Sequence, residues 1–199
     1  MAVGACTTTT KTPAADPVVK LPAGALSGYV PQPADVPAGF VPLLAQTGPA
    51  DLQRLASFSS NLKTATAALT KHGFQEGYVA EYADPPTGRS ITVVVSRFTD
   101  SSGATADLTV DLSAKLPSTA HNLVVPLIGD QAGGVSQPLP GGPKGSELVT
   151  VRFRVGPLTW LVAVAARGPV DITAVTGIAS NLAARAETLA TASPSPSPS

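Results

Sequence analysis

The chain has 199 residues, 43% of them hydrophobic and only 13% charged, and its 13 basic and 13 acidic side chains cancel. So lean and balanced a charge gives no field to concentrate DNA, RNA or anionic lipid, which excludes nucleic acid as a partner class. No apolar run approaches the roughly 20 residues needed to cross a bilayer, since the longest candidate, 158–166, stops at Arg167.

Near its start the chain carries Val3-Gly4-Ala5-Cys6-Thr7, which holds its single cysteine and resembles a bacterial lipoprotein processing site. An apolar residue stands three before the cysteine, and small residues fill the next two positions. The expected chemistry is alkylation of the Cys6 thiolate by a lipid carrying acyl chains such as palmitate, which anchors the protein on the extracytoplasmic face of the cell membrane. A signal peptide needs a basic n-region and an apolar stretch of about 7–15 residues, so the start is expected to be truncated or to lie upstream. A lone cysteine has no partner for a disulfide within the chain. Residues 1–34 are Pro-punctuated and without periodicity, and read as a signal remnant, lipidation site and flexible tether.

Residues 35–190 read as one domain. Leu62, Ala65 and Leu69 keep helical spacing behind the candidate caps Ser59 and Ser60, with Gly73 as a stop, after an earlier turn over 51–57. Residues 77–83 and 90–99 form a hairpin about Asp84-Pro85-Pro86-Thr87-Gly88, with Ile91, Val93 and Val95 on one face and Val94 and Phe98 on the other. Residues 101–116 fit both periods, and helix is favoured by Ser101-Ser102 as cap and by Ala104, Ala106 and Ala114. A strand is expected at 123–128 and a short one near Val135. Val149, Val151, Phe153 and Val155 then alternate with Thr150, Arg152 and Arg154, giving a strand with one buried and one wet face, and Gly156-Pro157 turns the chain into 158–166. Asp171 caps a last helix with Ile172, Val175, Ile178, Ala179, Leu182, Ala186 and Leu189 on one face. The order predicts an α+β domain, a mostly antiparallel sheet of about five or six strands with helices packed on one face. The Ser-Pro alternation of 191–199 is expected to be disordered, as is the N-terminal tail.

Five segments carry a family resemblance: Val36-Pro37-Ala38-Gly39-Phe40, Gly73-Phe74-Gln75-Glu76-Gly77-Tyr78, Phe98 with Ser102-Gly103-Ala104, Ile128-Gly129-Asp130-Gln131-Ala132, and Val151-Arg152-Phe153-Arg154-Val155-Gly156. With them the chain resembles actinobacterial secreted lipoproteins of unassigned function, some of which are similar to extracellular sensor domains of mycobacterial serine/threonine kinases. The resemblance spans roughly residues 36–187. It implies an exported α+β domain with ligand or partner binding, and brings no catalytic residues.

Catalytic patterns are thin. His72 and His121 lie far apart and Cys6 sits in the tail, so no metal site or cofactor is expected. His72 is placed at a helix C-terminus, where positive charge suits the dipole, and His121 in a loop. Ser60-Asn61-Leu62-Lys63 matches Ser-x-x-Lys, but the chain has no Lys-Thr-Gly strand to complete such a site. Gly141-Gly142-Pro143-Lys144-Gly145-Ser146 lacks the order of a phosphate loop and reads as an exposed loop. Asp107 and Asp111 share a helical face, as paired carboxylates or a solvated surface.

Two binding surfaces are named. Tyr78, Tyr82, Phe98 and Trp160 are either core or the lining of an apolar cleft between sheet and helices. Arg97, Arg152 and Arg154 are either solvent-facing charges or a receptor for an anion or acidic partner. The expected function is a membrane-anchored envelope lipoprotein, non-enzymatic, binding a lipid-like or other apolar small molecule or an envelope protein. The alternatives are an envelope hydrolase built on a buried polar pair, such as Ser60 with Lys63 or a carboxylate near His72, and a structural or assembly module.

Overall fold

The computed structural model describes residues 9–10, 25–59 and 61–192. The expectations for Cys6, for Ser60 and for the Ser-Pro tail lie outside these residues. In chain order the elements are β1 (Thr9–Thr10), two short 3-10 helices (Ala25–Tyr29 and Pro33–Asp35), β2 (Val41–Pro42), β3 (Gly48–Ala50), α1 (Leu52–Ala56), α2 (Leu62–Lys71), β4 (Phe74–Asp84), β5 (Arg89–Phe98), α3 (Ser101–Ser113), β6 (His121–Leu123), β7 (Gln131–Pro138), β8 (Glu147–Val155), β9 (Leu158–Ala166) and α4 (Ile172–Ala192). The strands form one sheet in the order β1-β7-β8-β9-β5-β4-β2, with β3 also on β4 and β6 also on β7. Every strand pairing is antiparallel. The α+β class is the expected one, and five long strands, β4, β5, β7, β8 and β9, carry it.

Alternation of side chains along the strands builds two apolar layers. On one face Ala80, Tyr82, Ile91, Val93, Val95, Val149, Val151, Phe153, Trp160 and Val162 pack against Val175, Ile178, Ala179, Leu182, Ala183 and Ala186 of α4. On the other, Val79 and Val94 pack with Ala50 and with Leu55 of α1, joined by Leu69 of α2 and by Leu161. Helices therefore cover both faces, α4 one and α1–α3 the other, where one covered face was expected. The physical reason is visible in β5, whose Val93-Val94-Val95 run is buried on both sides, as strands sandwiched between layers are.

Helix starts obey cap chemistry with a shift of one residue. Asn61, not Ser59, caps α2 by accepting from the Thr64 amide at 3.0 Å, and Asp100, not Ser101-Ser102, caps α3 by accepting from Gly103 at 2.8 Å. The strand expected over 123–128 is only β6, because Pro126 has no N–H to donate and Val124 points outward, 93% exposed. In its place β7 runs for eight residues beside β8.

The segment 25–36, of which 25–34 was expected to be tether, is part of the core. Leu26, Tyr29 and Val30 are buried between the sheet and α4, and Val36 joins them. Irregular backbone and four scattered apolar residues leave no periodic signal in sequence.

Candidate functional site

The four aromatic candidates do not share a surface. Tyr82 and Trp160 are buried on the α4 face, with Tyr78 partly buried beside them. Phe98 lies on the opposite face, its ring edge-on to Phe74 at 6.2 Å. On the α4 face Trp160 is the centre: Phe153 stacks on it at 4.9 Å and Tyr29 tilts against it at 6.3 Å.

Segment 25–36 closes this face as a strap. Trp160 Nε1 donates to the Tyr29 carbonyl at 2.9 Å, and the Tyr82 hydroxyl donates to the Pro31 carbonyl. Arg185 of α4 holds the rim, donating to the Val30 carbonyl at 3.0 Å and to Asp35 Oδ2 at 2.5 Å. Burial pushes the Tyr29 and Tyr82 phenols up from their ordinary range, which keeps the Tyr82 hydroxyl a donor to Pro31. Burial also raises Asp35, but hydrogen bonds from Arg185 and from the Gln32 amide, with the Arg185 charge, outweigh it and hold the carboxyl low. Tyr29, Asp35 and Arg185 were missed in sequence because they meet only through contacts more than 100 residues apart.

The three arginines also divide. Arg97 points to the α4 face beside Tyr29 and pairs with Glu76. Arg152 and Arg154 point to the α1–α3 face, and β9 lies between their strand and that of Arg97. Arg152 pairs with Asp111 of α3. Arg154, only 4% exposed, donates to Asp130 at 3.1 Å and to the Gly156 carbonyl at 3.2 Å, while Asp130 also accepts from the Gly156 amide at 2.8 Å. The wet face expected for β8 is thus covered, because α3 lies across it. Arg154 belongs to a buried polar row that crosses the sheet by direct register, Ser96–Thr159–Arg154–Gln131.

His72, at the end of α2, brings Nδ1 to 3.5 Å from Asp107 Oδ1 of α3. Burial raises the Asp107 carboxyl, with the His72 hydrogen bond and charge and the Arg152 charge opposing. A Cβ at Gly103 would sit 2.1 Å from the His72 carbonyl oxygen, so only glycine lets α3 start this close to the end of α2. His72, Asp107, Arg152 and Asp111 form a chain of polar contacts that fastens α2 and α3 to β8. His121 is exposed in β6. Among the described residues no group of three or more His, Cys, Asp or Glu is placed to hold a metal ion.

Comparison with solved structures finds a similar fold. The chain is similar to the extracellular domain of PknH from Mycobacterium tuberculosis. The TM-score is 0.51 at 10% sequence identity, over 83% of this chain and 94% of that one. At that identity the likeness is one of fold. No family model and no curated protein matches the chain. Among the described residues no helix is long and apolar enough to cross a membrane.

Proposed function

We propose that this protein is an extracytoplasmic domain, anchored through a lipid on Cys6, that binds an apolar small molecule without catalysing a reaction on it. The observation that carries the reading is the aromatic face of the sheet. Trp160, Tyr82 and Phe153 sit on rigid strands, and the two side-chain donors among them are met by main-chain carbonyls of a segment that continues directly from the Cys6 tether sequence. Binding sites of this kind combine an apolar lining with a few placed polar groups. The similarity in fold to an extracellular domain supports the location.

The hydrolase alternative asked for a carboxylate near His72, and Asp107 is there. That carboxylate is flanked by Arg152 and the pair joins two helices, which favours a fastening over a catalytic base. The test is intact mass and membrane fractionation of the protein expressed with its upstream region, beside Cys6→Ser. Acyl mass and membrane association are expected in the wild type and lost in the variant. An unlipidated wild type that stays in the soluble fraction sinks the anchor.

A further inference from the structure

We infer that segment 25–36 is a displaceable strap over a site for a long-chain carboxylate, the inference resting on the apolar-ligand reading above. The strap mimics such a ligand group by group. Leu26, Tyr29 and Val30 occupy the apolar space between α4 and the sheet. The carbonyls of Tyr29 and Pro31 satisfy Trp160 Nε1 and the Tyr82 hydroxyl, two donors that a ligand taking the strap's place must meet with acceptor oxygens of its own. At the rim the Arg185 guanidinium already binds a carboxylate, that of Asp35, together with the Val30 carbonyl. Guanidinium recognises carboxylate through paired N–H donors. An apolar space, neutral donors and a cationic rim select an apolar chain ending in a carboxylate, whose oxygens are its acceptors, over a plain hydrocarbon.

The strap is also built to leave. It is two short 3-10 turns in place of a strand or α-helix, and its fastening at the rim, Arg185–Asp35, is about a quarter exposed on each side, so it is open to competition by a free carboxylate and by salt. A ligand that binds only the strap-open state shifts the population toward it, and any change that weakens the strap raises apparent affinity.

The experiment uses the full chain and sodium oleate below its micelle concentration, with methyl oleate as the uncharged counterpart. Trp160 is the only tryptophan, so its emission reports this site alone. Saturable change in Trp160 emission with oleate is expected, severalfold tighter in Asp35→Asn, and severalfold weaker in Arg185→Gln for oleate but not for methyl oleate. Amides of 25–36 should lose hydrogen-exchange protection when oleate binds. Calorimetric binding of oleate that leaves Trp160 emission unmoved and is indifferent to both variants overturns the strap site while the apolar-ligand reading stands. No binding of oleate, methyl oleate or an apolar dye to any of the three proteins overturns both.

Discussion

At the scale of single residues, Arg154 and Asp130 are the most exacting pair. A buried guanidinium tolerates the loss of its partner poorly, because desolvation of the charge is then uncompensated. Asp130→Ala is expected to lower stability by about 3 kcal/mol, read as a lower urea midpoint with an unchanged slope. Adding Arg154→Met should recover most of that loss, since Arg154 Nε and Gln131 Oε1 have no hydrogen-bond partner among the described residues and the polar arrangement is incomplete. A double variant as unstable as the single one sinks this account. The same residues show the reach and the limit of sequence. The alternation of β8 put Arg152 and Arg154 on one face, as found, but alternation says nothing about what covers that face. It also grouped Arg97 with them, although the parity of β5 sends Arg97 to the other side of the sheet. Gly129-Asp130 stood out as a motif, and its reason is now physical. At φ +61° Gly129 lies so close to β8 that a Cβ would come within 2.2 Å of the Arg154 carbonyl oxygen.

Among elements, strands and helices with a clean period were legible: β9 and the start of α4 fall where their patterns place them. α3 was ambiguous because it buries only Ala104 and Leu108 and leaves Val110 exposed, so its apolar stripe is too narrow to exclude a strand. Asp100 resolves it by accepting from Gly103. Asp100→Ala and Asn61→Ala are each expected to cost about 1 kcal/mol in chemical unfolding, and Asn in place of Asp100 should cost much less. The strap was not legible at all, because a segment held by carbonyls meeting Trp160, Tyr82 and Arg185 has no signature in its own composition. Tyr29→Ala, which removes a ring packed on Trp160, should cost about 3 kcal/mol and shift Trp160 emission to the red as water reaches the indole.

On the scale of the whole molecule, acid is the expected weakness. Hydrogen bonds from Ser102 and Gly103 to Asp100, from Ser136 and Val170 to Glu147, and from Thr87 and Arg89 to Asp84 hold these carboxyls low, and Asp35 is held low at the rim of the strap. A carboxyl whose folded pKa is depressed contributes stability above its unfolded pKa and loses it as pH falls through the folded one. Asp107 and Glu81, both raised by burial, act with the opposite sign and are fewer. The urea midpoint should therefore decline from neutral pH to below about 4, the ordinary carboxylate range, and Glu147→Gln should flatten that decline; a midpoint constant to pH 3 contradicts it. The sheet has one more consequence at this scale. Each outer long strand, β4 and β7, is flanked by two strands of only two or three residues, and Pro42 and Pro49 withdraw N–H groups from the β4 side. Among the described residues a neighbouring copy meets no unbroken ladder to extend. Even at high concentration, the described part of these valine-rich molecules offers no template for growing into fibres.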